Sequence, residues 1–254
     1  MSIMHFESVA DDYAGAEHEG FYKRIAAELC DLLSVPDRPL RILDVGCGAG
    51  YSTEVLTERF PGAGVAAVEP SPSMADHARA RLASAITIHP SLDHLDASSF
   101  ELVFSSMSFH WLSEPDRDRL LELLARDALL AIAAPGRLAG DRSDGNQLVY
   151  DAARRSVLSG DTPRRSRAVE DLSLRSRYPE LKEVASRRLS LVESLKIDRA
   201  SSVIGTRGVY AALFDSEEAR DDLSDHLDAA LGRLERDEIP FAWPISLWVA
   251  STKG

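Results

Sequence analysis

The first half of the chain alternates between short apolar runs and stretches that carry apolar residues at helical spacing. The apolar runs are short and continuous, as buried strands are. The runs that predict strands cover residues 40–45, 64–69, 85–89, 100–109 and 128–136. Helices are predicted before and between them, at residues 19–33, 51–60, 71–84 and 115–127. This order predicts parallel strand–helix–strand units in a doubly wound α/β sheet with helices on both faces.

The second half of the chain has a different pattern. Residues 136–182 are polar and rich in arginine, with helical stretches at residues 145–158 and 166–178. An alternating run then predicts a long strand over residues 181–195, and a leucine-rich face predicts a helix over residues 215–236. The polar segment therefore separates two regions that each carry regular structure.

The last apolar run, residues 239–251, predicts a terminal strand that contains Pro244. Proline cannot donate a hydrogen bond to a neighbouring strand, so we expect this strand to bend or to lie near an edge. Residues 136–182 are too short and too polar to build a core of their own. We therefore expect an insertion that returns to the same sheet, and one domain over residues 1–254.

Composition narrows the class of protein. Of the 254 residues, 44% are hydrophobic, which is enough for a sizeable core. The formal net charge of -12 argues against binding to nucleic acid or to an anionic membrane through overall charge. Cys30 and Cys47 are too few for a disulfide framework, and no secretory leader or long apolar span is visible. We expect a soluble cytoplasmic protein, either a monomer or a homodimer.

The segment ILDVGCGAGYST, residues 42–53, leads from the first strand through three glycines into a helix. Gly46, Gly48 and Gly50 allow a tight turn that brings backbone N–H groups and a helix N-terminus close to a ligand. A dinucleotide-binding turn has the pattern G-x-G-x-x-G. Here the third glycine comes one residue early and Tyr51 takes its place, which disfavours a nicotinamide or flavin dehydrogenase.

An acidic residue follows the second predicted strand. Glu69 ends the run GVAAVE and is expected to point beyond the carboxyl end of the sheet. A carboxylate at this place can accept hydrogen bonds from both hydroxyl groups of a ribose. Together with the glycine turn, Glu69 predicts a ligand that contains a ribose.

Three segments in this order resemble the motifs of class I S-adenosylmethionine-dependent methyltransferases: ILDVGCGAG, VAAVEPSPSMADHAR and FELVFSSMSFHWL. The similarity covers roughly residues 38–135. The sequence SFHWL and the tail IPFAWPISLWVAS are similar to the small-molecule branch that includes type 11 and trans-aconitate methyltransferases. The resemblance implies a Rossmann-like, mostly parallel sheet of seven strands whose last strand is antiparallel, and S-adenosyl-L-methionine as the cofactor.

The resemblance also divides the predicted domain into four parts. Residues 1–36 would form a helical lid that carries Tyr13, and residues 37–135 would form the cofactor-binding core. After the fifth strand, residues 136–182 would cap the substrate, and residues 183–254 would complete the sheet. The lid and the cap are expected to form the pocket for the methyl acceptor.

The family's cofactor contacts carry over to matching positions of this chain. Asp44 and the glycine turn would contact the amino acid end of the cofactor, and Glu69 would hold the ribose. The other predicted cofactor contacts are Tyr13, Gly46, Cys47, Gly48, Gly50, Pro70, Ser71, Met74, Ser91, Leu92, Asp93, Ser105, Ser106 and Met107. Ser91 stands where the family commonly has an acidic residue.

Methyl transfer from a sulfonium requires mainly that the acceptor be positioned in line with it. Aromatic faces stabilise the cation, and a base is needed only when the acceptor keeps its proton at working pH. His110 borders the expected acceptor site, where it could act as the base or bind only to backbone. The predicted substrate contacts are Phe21, Tyr22, Phe109, His110 and Trp111. The histidines of the chain show no zinc-type spacing, so no metal is expected.

We expect methyl transfer to a small organic acceptor, by O- or N-methylation, with a carboxylate or a natural-product intermediate among the candidates. Arginines of the insertion would favour an anionic acceptor if they face inward. An alternative is a protein of this fold that binds S-adenosylmethionine without transferring methyl, as a cyclase-like catalyst or a regulatory binding module. The motif that base methyltransferases carry after the fourth strand is replaced by SSMSFHW, which disfavours a nucleic-acid substrate.

Overall fold

The computed structural model describes residues 3–36, 38, 40–82, 84, 86–136, 143–156, 174–208 and 217–252. Its strands are β1 (Arg41–Val45), β2 (Gly64–Val68), β3 (Thr87–His89), β4 (Phe100–Ser106), β5 (Leu124–Pro135), β6 (Leu181–Lys196) and β7 (Glu238–Thr252). Its helices are α1 (Ile3–Tyr13), α2 (Ala16–Cys30), α3 (Tyr51–Arg59), α4 (Pro72–Arg81), α5 (Glu114–Leu123), α6 (Asp144–Ser156), α7 (Leu174–Arg177), α8 (Ile197–Thr206) and α9 (Glu217–Leu231).

The strands form one seven-stranded sheet in the order β3-β2-β1-β4-β5-β7-β6, with the last strand antiparallel. β1 pairs in parallel with β2 and with β4, and β3 and β5 extend this parallel part on either side. The predicted doubly wound α/β fold is confirmed. Because β1, β2 and β4 are parallel, their carboxyl ends meet at the same edge of the sheet, where ligands bind in folds of this kind.

Local sequence signals set the starts of two helices. Ser71 is the N-cap of α4: its hydroxyl accepts a hydrogen bond from the backbone N–H of Met74 at 3.2 Å, and Pro72 stands in the first turn. Ser113 and Asp116 form a capping box at the start of α5. Both helices therefore begin within a residue or so of their predicted starts.

The junction of α5 and β5 differs from the prediction, which extends the helix to residue 127. β5 begins at Leu124, directly after α5. Its register against β4 shifts between Phe100, opposite Leu124, and Leu102, opposite Leu129, and Asp127 within this stretch has a φ of 58°. The irregularity takes up the extra residues of β5. Periodicity misses it because a buried strand and a helix face both use leucine.

Strand β7 runs unbroken through Pro244 and lies between β5 and β6. It is thus the neighbour of the edge strand β6, which agrees with the predicted position near an edge. Proline lacks the backbone donor but keeps its carbonyl, and the carbonyl of Pro244 accepts a hydrogen bond from the N–H of Gly136 at 2.8 Å. The strand thus tolerates the two missing donors of Pro240 and Pro244.

The chain divides into two compact units. The first comprises Met1–Ala134, Ser173–Arg187 and Ser246–Gly254, and the second comprises Pro135–Leu172 and Arg188–Ile245. The described part of the predicted insertion therefore falls mainly into a unit with α8 and α9. One domain with a polar insertion stays a prediction.

The second unit has its own apolar core. Helix α9 buries Leu223, Leu227 and Leu231, which belong to its predicted leucine face, in one cluster with Ile204 of α8 and Phe241 of β7. Helix α8 is absent from the sequence prediction, although its buried face contributes to this core. The apolar density that residues 136–182 lack is thus supplied by the segments that follow them.

Candidate functional site

The glycine turn begins where β1 ends and is tied to the neighbouring strand. The N–H groups of Gly46 and Cys47 both donate to the carbonyl of Val68, at 2.8 and 3.0 Å. The three glycines have φ values of 70°, 55° and 90°, a region that favours glycine. A Cβ atom at Gly46 would lie 2.5 Å from Cβ of Ser108. Glycine is therefore required at this position by both conformation and space.

Glu69 lies directly after β2 and is fixed by backbone groups. One oxygen of its carboxylate accepts from the N–H of Gly48 and the other from the N–H of Ser71, each at 2.8 Å. Its own N–H donates to the carbonyl of His89 at 3.0 Å. Burial raises the pKa of Glu69, and the two N–H donors oppose this shift. Each carboxylate oxygen keeps a further lone pair with which it can accept from a ligand hydroxyl.

Asp44 is completely buried near the end of β1. Its Oδ2 accepts hydrogen bonds from the hydroxyls of Ser52 and Thr53, each at 2.6 Å. Burial raises the pKa of Asp44 to about 6, although both hydroxyls lower it. Its Oδ1 is also buried and finds no hydrogen-bond partner among the described residues. A donor on a bound ligand, such as an amino group, would satisfy this oxygen.

An aromatic cluster lies beside the turn. The ring of Tyr13 stacks on His18 at a centroid distance of 5.8 Å and lies 4.8 Å from the ring of Tyr22. Tyr22 in turn stacks on Tyr51 at 6.2 Å. Burial raises the pKa of the Tyr13 hydroxyl well above its ordinary value, so it stays protonated at neutral pH. These rings supply the faces that a sulfonium favours.

Two predicted cofactor contacts, Tyr13 and Ser106, share a small cavity with the turn. The residues that line this cavity are Tyr13, Tyr22, Gly46, Cys47, Tyr51, Ser52 and Ser106. Cys47 is buried, and burial raises the pKa of its thiol well above its ordinary value. A protonated, buried thiol is a poor nucleophile, so Cys47 contributes to the turn as a small buried side chain.

Further predicted cofactor contacts lie on the segment that leads into α4. Ser71 and Met74 are buried there, whereas Pro70 is exposed. The hydroxyl of Ser71 also donates to the carboxylate of Glu7 on α1, at 2.6 Å. Helix α1 is thus anchored to the start of α4.

The predicted contacts after β3 surround a 3-10 turn. Ser91 caps this turn by accepting a hydrogen bond from the N–H of Asp93 at 3.3 Å. Leu92 is buried and Asp93 is exposed. Whether these side chains reach a ligand stays a prediction.

The predicted contacts after β4 are held by hydrogen bonds. Ser105 is buried, and its hydroxyl lies 2.7 Å from that of Ser108, which donates to the carbonyl of Val45. Met107 has a φ of 60° and its N–H donates to the carbonyl of Ala133 at 2.8 Å. These bonds fix the backbone at the end of β4.

The predicted substrate contacts differ in exposure. Phe109 is fully buried and packs edge-on against Tyr178 at 6.3 Å. Phe21 and Tyr22 of α2 are also buried. Trp111 is partly exposed, and the ring of Phe6 contacts it edge-on at 5.8 Å. Their roles toward a substrate stay predictions.

His110 lies in the 3-10 turn Phe109–Trp111. The residue is partly exposed, but its Nδ1 is buried and has no hydrogen-bond partner among the described residues. Burial, with the nearby charge of Arg117, lowers the pKa of His110 to about 3. The imidazole is therefore neutral and weakly basic, which makes it a poor general base.

Several residues of this region escape sequence reasoning. Glu7 and His18 lie in the N-terminal segment: Glu7 contacts Ser71, which is far away along the chain, and His18 stacks on the nearby Tyr13. Tyr51 is noticed in the sequence only as a residue that breaks the dinucleotide pattern. Its hydroxyl in fact donates to the carbonyls of Tyr13 and Gly15, at 3.1 and 3.2 Å.

Residues 42–127 match the family model of a methyltransferase domain. This part of the chain is a methyltransferase domain of the class I S-adenosylmethionine-dependent type. This match covers the glycine turn, Glu69 and the SFHWL segment, so the resemblance stated from the sequence is confirmed.

Curated relatives match this chain over part of their length. A malonyl-[acyl-carrier protein] O-methyltransferase from Acetivibrio thermocellus is 31% identical over 160 residues, 61% of this chain and 55% of the relative. A trans-aconitate 2-methyltransferase from Rhodopseudomonas palustris is 38% identical over 105 residues, 40% of this chain and 41% of the relative. Another trans-aconitate 2-methyltransferase, from Methylobacterium nodulans, is 30% identical over 180 residues, which are 68% of this chain and 65% of the relative. The chain thus spans about half the length of these relatives.

Solved structures show the same fold. A candidate type II methyltransferase from Anaeromyxobacter dehalogenans has a TM-score of 0.60 and 23% identity, covering 89% of this chain and 94% of that chain. Phosphoethanolamine N-methyltransferase 2 from Haemonchus contortus, solved with S-adenosyl-L-methionine, has a TM-score of 0.54 and 16% identity. The match covers 100% of this chain and 60% of that chain. At these identities the likeness concerns the fold alone.

None of the helices in the described residues has the length and the apolar character that crossing a membrane requires. No group of three His, Cys, Asp or Glu side chains in the same part of the chain is arranged to hold a metal ion.

Proposed function

We propose that this methyltransferase transfers a methyl group from S-adenosyl-L-methionine to a carboxylate of a small organic acceptor. The observation that carries the cofactor half of this proposal is Glu69, a buried carboxylate held between the N–H groups of Gly48 and Ser71. Such a fixed carboxylate beside a glycine turn is suited to the two hydroxyls of a ribose. The family match supports the same ligand.

The chain's other residues fit the rest of the cofactor. The unpaired Oδ1 of Asp44 and the open backbone of the glycine turn suit the charged amino acid end. Pro70, Ser71 and Met74 would line the adenine, with Ser91, Leu92 and Asp93 at its edge. When bound, the cofactor supplies a methyl group that is already activated by a sulfonium. The protein's own contribution is then to bind, to orient and to exclude water.

The state of His110 favours an acceptor that is ionised before it binds. A hydroxyl acceptor needs a base in the transition state, whereas a carboxylate has lost its proton at neutral pH. His110 is a neutral, weak base with a pKa of about 3. Two relatives are named for methylation of malonyl-acyl-carrier protein and of trans-aconitate, both of which carry carboxylates. These observations together support the carboxylate class.

The cofactor half is tested by calorimetric titration of S-adenosylhomocysteine, the demethylated product, into wild type, Glu69→Ala and Glu69→Gln. Loss of a charge-assisted hydrogen bond weakens binding by about 1.5–3 kcal/mol. Glu69→Gln keeps the shape of the side chain but turns an NH2 group toward the N–H of Gly48 or of Ser71, so we expect it to weaken binding as well. Glu180→Ala, at an exposed glutamate, is the matched control and should bind as wild type does.

The acceptor half is tested by transfer of radiolabelled methyl to small carboxylic acids, with the matching amides and alcohols as controls. We expect label on the acids alone. Tight binding of S-adenosylhomocysteine without transfer to any acceptor would instead favour a cofactor-binding protein that is not a methyltransferase in activity. No binding to wild type would overturn the cofactor assignment itself.

A further inference from the structure

Tyr51 is the first residue of α3 and follows directly on the glycine turn. Its side chain is almost completely buried, at 2% exposure. Its hydroxyl lies 3.1 Å from the carbonyl of Tyr13 and 3.2 Å from the carbonyl of Gly15. These carbonyls belong to the junction of α1 and α2, so a single hydroxyl connects that junction to the end of the turn.

The ring of Tyr51 is itself held from several helices. The guanidinium of Arg81 lies 4.4 Å from its centroid, and Nε of Arg81 donates to the carbonyl of Ala49 at 3.1 Å. Arg81 also pairs with Glu19 of α2 and Glu54 of α3, each at 3.4 Å. These contacts fix the plane of the ring, so its hydroxyl occupies a defined place.

The junction held by Tyr51 carries the ring of Tyr13. A Cβ atom built at Gly48 would lie 3.4 Å from Cε1 of Tyr13, so this ring covers the middle glycine of the turn. Tyr13 and Tyr51 also line the same small cavity. Earlier in α1, Glu7 accepts hydrogen bonds from the hydroxyls of Ser71 and Ser73, each at 2.6 Å. Helix α1 is therefore anchored at Glu7 and again at its carboxyl end.

We propose that Tyr51 is a positioning residue for cofactor binding. Its hydroxyl fixes the α1–α2 junction and thereby holds the ring of Tyr13 over Gly48. It acts through Tyr13, and it takes no part in the transfer of methyl. This inference rests on the proposed function, because it takes the cavity at the glycine turn as part of the cofactor site.

The test compares wild type with Tyr51→Phe, which keeps the ring and its contact with Arg81 but removes the hydroxyl. S-adenosylhomocysteine is titrated by calorimetry, and its dissociation is followed by stopped flow. We expect the dissociation constant to rise about three- to tenfold, as loss of one hydrogen bond implies, with most of the change in the dissociation rate. Tyr150→Phe, at a tyrosine that is 58% exposed, should leave both quantities unchanged.

A second pair of variants separates positioning from a general loss of stability. Tyr13→Ala removes the ring but keeps the backbone carbonyl to which Tyr51 donates. If Tyr51 acts through the ring of Tyr13, Tyr51→Phe changes the affinity less than about twofold in the Tyr13→Ala background. An equal effect in both backgrounds, or no effect in wild type, overturns the inference. Failure of wild type to bind S-adenosylhomocysteine would instead overturn the proposed function.

Discussion

The edge of the first unit that carries the glycine turn and the core of the second unit bury different kinds of side chain. In the first unit, the edge with the glycine turn buries polar groups, among them Asp44, Glu69 and Ser105. In the second unit, the core of α6, α8 and α9 buries leucine, isoleucine, alanine and phenylalanine. Burial of a carboxylate disfavours its charged form, whereas burial of apolar surface stabilises the fold by about 25 cal/mol per Å².

This difference indicates which of the two regions is suited to bind a ligand. Asp44 has a raised pKa and a buried oxygen without a partner in the described residues, so it lowers stability unless a ligand is bound. Nothing in the packing of Leu223 or Leu227 needs a ligand, because apolar side chains are satisfied by each other. The buried polar groups at the edge with the glycine turn therefore fit the proposed cofactor site. The apolar core of the second unit stabilises the fold.

The largest expected effect is on the second unit. Leu227→Ala removes a fully buried side chain and should lower the stability to unfolding by about 2–5 kcal/mol. Thermal unfolding measures this loss, and Asp228→Ala on the exposed face of α9 is the matched control. The affinity for S-adenosylhomocysteine should stay within twofold of wild type at a temperature where the variant is folded. A loss of affinity of similar size would contradict the view that the core of the second unit contributes to stability and not to ligand binding.

The next effect is at the glycine turn. Gly46→Ala introduces a Cβ atom 2.5 Å from Cβ of Ser108 at a φ of 70°. Strain and overpacking together should lower stability by about 2–4 kcal/mol and abolish cofactor binding. Gly20→Ala is the matched control, because no heavy atom lies within 4 Å of the added Cβ in α2. This control should be stabilised by about 0.5–1 kcal/mol, and a Gly46→Ala protein that binds normally would contradict the described turn.

The ionisation of Asp44 should make both stability and ligand affinity depend on pH. Its pKa is raised from 3.8 to about 6, so the unfolded state binds fewer protons between these values and stability falls as the pH rises through them. A ligand amino group needs the ionised carboxylate, so affinity for S-adenosylhomocysteine should rise about tenfold from pH 5 to pH 7. Calorimetry at both pH values measures this. Asp44→Asn should remove the dependence, and an equal slope in the variant would refute the assignment.

The smallest effect is expected at His110. Because its pKa is lowered to about 3, the rate of methyl transfer should show no inflection near pH 6.5 from this residue. His110→Gln should lower the turnover number less than tenfold, since removal of a general base lowers rates by about 10²–10⁴. Steady-state kinetics on a carboxylate acceptor measure this ratio. A hundredfold fall in the turnover number at unchanged KM would show that His110 acts as a general base.

The sequence predicts that the glycine turn and Glu69 lie close together, and the reason is physical. The glycines and Glu69 follow parallel strands, and the ends of neighbouring parallel strands meet in space. The spacing along the chain therefore translates directly into proximity. Other predicted cofactor contacts, such as Ser91, lie on loops whose conformation no local pattern sets.

Other features lie beyond the reach of the sequence pattern. The bond from Tyr51 to Tyr13 joins residues that no periodicity connects. Phe109 is a predicted substrate contact, and no local pattern indicates that its buried ring packs against Tyr178. The place of β7 between β5 and the edge strand β6 depends on which strands pair, and Pro244 alone does not determine it.

The hydrogen bonds that hold Glu69 have a consequence for the thermodynamics of binding. Main-chain amides, not side chains, hold its carboxylate, so its conformation is settled when the chain folds. Ordering a free side chain at a binding site costs about 0.5–1.5 kcal/mol. A ligand that meets Glu69 is spared most of this loss of entropy. Shortening Cys47 to alanine within the turn should leave this preorganisation intact, because the donors belong to the backbone and nothing is added to the buried space.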